Sequence, residues 1–179
     1  MKGREWLHLW LLPSLFLMLT RNAWAEEWSQ KYINSLPDTA FASVEVTPEG
    51  KRIRHLPHHD HTGALDLPHL LNALARHSQV KWVDPLSAAP ARQHLLAHMQ
   101  ELREERLARI PIRVPVDLNR ATAEELAEVP FIGPAKAVAI REERDRRGRF
   151  RYVEELRQVI GIGPIILDAI NDLVTVEPQ

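Results

Sequence analysis

Three sets of residues have the types and spacing to do chemistry. The first is Gly161-Ile162-Gly163-Pro164, with Ile132-Gly133-Pro134 thirty residues earlier. In such a turn one glycine can take positive φ while the other lets a ligand approach bare backbone, and the following helix opens with unpaired N–H groups. Those amides, with about half a positive charge from the helix dipole, make an anion site that needs no basic side chain. The candidate contacts are therefore Ile132, Gly133, Gly161, Ile162 and Gly163. The second set is Lys136, just inside the helix after the first turn, and Arg144, Arg146, Arg147, Arg149 and Arg151 around Gly148, the one dense basic patch. These arginines read either as phosphate contacts or as a solvated loop whose charges favour a helix C-terminus.

The third set is His55, His58, His59 and His61 with Asp60 and Asp66, since imidazole and carboxylate suit zinc, copper or nickel. The sequence favours a plainer reading without a metal or other cofactor: His59 and Asp60 make local turn and cap hydrogen bonds, and the other histidines are exposed. His94 and His98 have the His-x-x-x-His spacing, but Leu95 stands where a metalloprotease has its Glu, so this pair reads as surface.

Composition narrows the classes further. No Cys occurs among the 179 residues, which excludes a thiol nucleophile, a disulfide framework, an Fe–S cluster and a zinc ribbon. There is no P-loop, no Gly-x-Ser-x-Gly and no carboxylate cluster of the kind a two-metal nuclease needs, so the chain reads as a non-enzyme. The formal net charge of −1 argues against a uniformly basic binder. Any nucleic-acid contact must come from local patches and backbone amides.

The elements that must position the turns are legible as an internal repeat. At an offset of 30, Glu124-Glu125-Leu126 returns as Glu154-Glu155-Leu156, Val129 as Val159, Ile132-Gly133-Pro134 as Ile162-Gly163-Pro164, and Ala139-Ile140 as Ala169-Ile170. Such a period marks a repeated supersecondary unit, here helix, tight turn, helix. Thr122 with Glu125 is a capping box, so the first helix starts near Ala123 and stops before Pro130. Gly133-Pro134 opens the second, which has Ala135, Val138 and Ala139 on one face and ends at Gly148. Val153 to Val159 forms the third, and Ile165 to Leu173 the fourth, with Pro164 at its first position. Leu126, Val129, Leu156, Val159, Ile162 and Ile170 belong to the core.

These residues resemble the ComEA-type helix-hairpin-helix DNA-binding family over about Val116 to Val174. The resemblance rests on Asp117-Leu118-Asn119, Ala121, Leu126, both Ile-Gly-Pro turns, Gly148, Phe150 and Gly161-Ile162-Gly163. It implies sequence-independent binding of duplex DNA, with hairpin amides on the phosphates, in a setting of DNA uptake or competence. Two positions depart from the family. Phe131 stands where the first turn usually has glycine, and an aromatic residue at positive φ costs about 1 kcal/mol or forces another turn shape. Ile165 stands where the family often carries Lys. The alternative is a structural or protein–protein interaction module that uses the paired hairpins without DNA.

The remaining sequence divides at Pro111 and Pro115. Residues 26–113 hold eight of the nine His, and residues 114–179 hold none, which predicts a boundary near Arg113. Within the first of these, Leu36-Pro37-Asp38, Arg54-His55-Leu56-Pro57-His58-His59-Asp60 and Pro68-His69-Leu70-Leu71 resemble a small uncharacterised phage-associated domain, in which Ala91 to Leu107 would supply a last helix. That likeness implies no activity and leaves room for a protein partner. Residues 1–25 read as a signal peptide. Lys2 and Arg4 precede an apolar run from Trp6 to Leu19, and Ala23-Trp24-Ala25 offers a cleavage site after Ala25. The run is shorter than a membrane span, so no stable span is expected after cleavage. Cleavage takes away Lys2, Arg4, Arg21 and Glu5 and leaves an exported, periplasmic or secreted chain of net charge −3. The expected architecture is mainly α, with a C-terminal tandem helix-hairpin-helix domain preceded by the signal peptide and a small, mostly helical, loop-rich region.

Overall fold

The structure, a computed structural model, describes residues 28–109 and 115–177. The expected signal peptide and the expected boundary near Arg113 both lie outside the described residues. The fold is mostly helical, and no helix among the described residues is long and apolar enough to cross a membrane.

The first part opens with α1 (Gln30–Ser35), capped by the Ser29 hydroxyl, which accepts from the Tyr32 N–H. It continues into an antiparallel hairpin of β1 (Phe41–Val46) and β2 (Arg52–Pro57), with Ser43 opposite His55 and Val46 opposite Arg52. This hairpin is absent from the helical and loop-rich expectation for residues 26–113. The signal was present in the sequence, because Phe41-Ala42-Ser43-Val44-Glu45-Val46 is rich in strand formers and Gly50, at φ 80°, closes the turn. Glu45 points inward from β1 and fastens the hairpin to the loop beyond α2 (Leu67–Arg76). Its carboxylate accepts from the Val83 and Asp84 N–H groups at 3.0 and 2.9 Å and pairs with His55 Nε2 at 2.8 Å. Burial would raise this carboxyl's pKa, but those donors, with the Ser87 hydroxyl, hold it at about 2. The long α3 (Ala88–Arg109) follows and buries Ala91, Leu95 and Met99 at helical spacing.

The second part begins at β3 (Val116–Asp117), which pairs in parallel with β4 (Val174–Thr175) and so ties the two ends of the repeat together. Between them come α4 (Ala123–Glu128), α5 (Gly133–Arg147), a 3-10 helix (Val153–Gln158) and α6 (Pro164–Ile170). The capping box at Thr122 and Glu125 is formed in full. The second copy has Tyr152 at the equivalent start, no side-chain cap there, and a 3-10 helix instead of an α-helix. On α5 the buried face is Ala137 and Ile140, whereas Val138, expected on that face, is 39% exposed. The fourth helix ends at Ile170, short of the expected Leu173. Asn119 links the copies, donating from Nδ2 to the Phe150 carbonyl at 2.9 Å while its Oδ1 accepts from the Phe150 N–H at 2.8 Å.

Apolar side chains from both parts join one cluster. Leu70, Leu74, Leu95 and Met99 are continuous with Leu118, Leu126, Ile140, Phe150, Leu156 and Ile170. Polar contacts reinforce this junction, because Arg103 on α3 donates to the Ala169 carbonyl at 3.0 Å and to Asp172 at 2.6 Å.

Candidate nucleic-acid interface

The repeat seen in the sequence is a repeat of burial and hydrogen bonding. Leu126 and Leu156 are fully buried, as are Ile140 and Ile170. In each turn the isoleucine N–H is taken by the valine three residues back, Ile132 to Val129 and Ile162 to Val159, both at 3.1 Å. Ile132 and Ile162 are therefore anchors: their side chains are buried and their amides are spent inside the turn. The candidate donors lie one step further on. Neither α5 nor α6 has a side-chain cap. Among the described residues no acceptor takes the N–H of Gly133 or Ala135, nor that of Gly163, Ile165 or Ile166.

The two turns differ at the position before the isoleucine. Gly161 sits at φ 86°, where glycine is at ease, and Phe131 occupies the same left-handed region at φ 68°. The turn shape is thus kept at Phe131 instead of being remodelled. Its ring is buried and lies under the Arg106 guanidinium at 4.8 Å, so packing holds a backbone conformation that would otherwise cost about 1–2 kcal/mol. Arg106 and Arg109 come from the end of α3 and, with Glu128, Pro130, Phe131 and Gly133, line a cleft of about 260 Å³ beside hairpin one. Nothing local in the sequence marks these two arginines, because only the docking of α3 brings them there.

Lys136 lies between the hairpins, its aliphatic stem passing 3.7 Å from where a Cβ on Gly161 would sit. Burial, and then the charge of Arg106, lowers its ammonium from the ordinary lysine value. Gly163 has an ordinary φ of −85° and open space around it, so bare backbone is accessible at hairpin two.

The arginine patch divides into inward-turned and exposed members. Arg144 turns inward and donates to the Leu118 and Ala121 carbonyls at 3.1 and 2.8 Å. Arg147 is enclosed by Glu143 at 3.2 Å, Glu155 at 3.5 Å and Gln158 Oε1 at 2.6 Å. Arg146 is exposed but bound to Glu143 through two nitrogens, which holds that carboxyl below the usual carboxylate range. Arg149 donates to the Glu177 carbonyl at 3.3 Å. Arg151 is exposed, and its N–H, not its guanidinium, donates to Glu155.

The histidines separate into different surroundings. His55 is spent on Glu45, and His61 Nδ1 meets the Tyr32 hydroxyl at 3.1 Å. Asp60 binds Thr62 and Ala64, and Asp66 caps α2 while pairing with His69, so neither carboxylate faces the other histidines. The local role expected for His59 and Asp60 is present. His58, expected on the surface, is fully buried, and His94 and His98 converge from α3 onto His58 and His59. Burial first, and then the neighbouring imidazoles, push the His58 pKa down to about 4.

Residues 112–175 match the family described as helix-hairpin-helix motif. Over 62 residues the chain is 40% identical to ComE operon protein 1 of Bacillus subtilis (strain 168). That alignment covers 35% of this chain and 30% of the relative, so the chain spans less than a third of the length of the curated relative it matches. The resemblance read from Val116 to Val174 is borne out as a helix-hairpin-helix region.

Proposed function

We propose that this helix-hairpin-helix protein holds duplex DNA without regard to sequence, through phosphate contacts made by hairpin backbone amides. The observation that carries the reading is the pair of equivalent turns, each followed by an uncapped helix start whose first N–H groups have no acceptor among the described residues. An anionic polymer supplies the missing acceptors at a regular spacing. The principal donors are Gly163, Ile165 and Ile166 at hairpin two and Gly133 and Ala135 at hairpin one. Lys136 places an ammonium between them, and Arg106, Arg109 and Arg151 add charge at the margins. Arg144 and Arg147 hold the fold. The similarity to a ComE operon protein supports a setting in DNA uptake, and residues 1–25 serve as a signal that delivers the protein outside the cytoplasm.

A duplex titration of the full chain at several salt concentrations tests this reading. Neutralising about three to five phosphates gives a slope of log affinity against log salt of about −3 to −4.5, with scrambled sequences binding alike. The full chain is the proper material because its core runs through both parts. Absence of binding at low salt would overturn the proposal in favour of a protein-docking module, for which Ile160, 88% exposed at hairpin two, offers an apolar contact.

A further inference from the structure

We infer that His58, His59, His94 and His98 form a binding site for one divalent transition-metal ion of the zinc class, fastening the end of β2 to α3. One ring nitrogen from each of the four lies within 4.8 Å of all the others. Three contacts join them through Nε2: His58 to His94 at 3.0 Å, His94 to His98 at 3.3 Å and His98 to His59 at 3.2 Å. A tetrahedron with metal–nitrogen bonds of 2.0–2.1 Å has edges of about 3.3–3.4 Å, so these contacts are already at coordination spacing.

Proton bookkeeping points the same way. His58 Nδ1 lies 3.0 Å from the Leu56 carbonyl and His59 Nδ1 lies 3.0 Å from the Gly63 carbonyl. A carbonyl only accepts, so in both rings Nδ1 carries the hydrogen and Nε2 presents a lone pair. His98 Nδ1 is held in the same way by the Glu101 carboxylate at 3.1 Å. Three imidazoles are thus fixed in the tautomer a metal requires, by the outer acceptors that usually accompany ligating histidines. In neutral rings one N–H on His94 can satisfy only one of the facing lone pairs. A cation at the centre accepts all four.

The scaffold is rigid on both sides. His94 and His98 are one turn apart on α3 and share a face. Adjacent residues of an extended strand point to opposite faces, yet the rings of His58 and His59 are 4.4 Å apart. The chain achieves this just past Leu56, which sits at φ 61°, a conformation that leucine adopts only when its surroundings impose it. The His58 and His59 N–H groups both donate to the Ala40 carbonyl, at 2.9 and 3.3 Å. Four neutral nitrogens with no oxygen ligand select against calcium and magnesium and for zinc-like ions. His94 is exposed, which provides the entry path, while His58 is fully buried.

The test uses the full chain without a polyhistidine tag, stripped with a chelator, dialysed against Zn²⁺ and analysed for metal. The expected result is one ion per chain, with Co²⁺ giving the intense visible bands of a tetrahedral site. His94→Ala with His98→Ala, on an exposed and a half-buried position, should keep the circular dichroism of the fold and weaken Zn²⁺ affinity by at least about 100-fold. Glu101→Gln should weaken it by about tenfold, as loss of an outer acceptor does. Sub-stoichiometric uptake by the wild-type chain overturns the assignment. So does wild-type affinity in the double variant, because the ion would then be held by other histidines such as His61 or His69.

Discussion

Leu126, Val129, Ile132 and Ile140 in hairpin one and Leu156, Val159, Ile162 and Ile170 in hairpin two occupy equivalent buried positions, but the turns they hold are not equally open. Hairpin one has Pro130 and Phe131 buried, Arg106 stacked on the phenyl ring and Glu128 among the residues lining the adjoining cleft. Hairpin two has Ile160 exposed, glycine at the left-handed position and the uncharged Gln158 where the first copy has Glu128. The first copy carries the longer helix, 15 residues against 7, and hence the stronger aligned dipole. The repeat supplies two similar frames. The docking of α3 then turned one of them partly toward the inside of the protein and left the other as the accessible backbone.

Substitutions that treat the two turns unequally sharpen this contrast. The largest effect is expected from Phe131→Gly. It relieves the positive φ but deletes a buried aromatic ring, for a net loss of about 2–4 kcal/mol in urea unfolding. A stabilised variant would show that the ring is not what holds hairpin one. Arg144→Ala removes the donor shared by the Leu118 and Ala121 carbonyls and should cost about 1–3 kcal/mol. The salt slope of duplex binding should be unchanged, and a slope shallower by one would assign Arg144 to a phosphate after all. Gly163→Val is the converse case. Its φ and open surroundings admit a side chain, so unfolding should shift by less than about 0.5 kcal/mol. Duplex affinity should nevertheless fall about tenfold, or ~1.4 kcal/mol, because bare backbone is lost at the accessible turn. Equal affinity in the folded variant would move the interface away from hairpin two. Gly161→Ala, at φ 86°, should destabilise by about 1 kcal/mol through backbone strain alone, as thermal unfolding would register.

Much of the repeat was legible because its determinants are local. Thr122 and Glu125 cap a helix by their spacing, Gly148 ends one by its left-handed φ, and the doubled Ile-Gly-Pro marks both turns before any packing is known. The retained turn at Phe131 was not legible, since the same residue is either strained or remodelled until its ring finds a buried place. The same limit applied to the arginines. Seven residues after Arg144 carry no sign that Arg144 and Arg147 point inward while Arg151 points out, because helical phase near a C-cap and the position of Glu155 decide it.

The sequence by itself determined the helix-hairpin-helix repeat, the absence of thiol chemistry and which glycines could bend the chain, because these depend on residue type and on contacts a few positions apart. Only the tertiary structure decided that α3 covers hairpin one, and that histidines 36 and 39 residues apart face one another at 3.0 and 3.2 Å. Those outcomes depend on how α3 packs against distant parts of the chain, and spacing along a sequence does not encode a distance across a core.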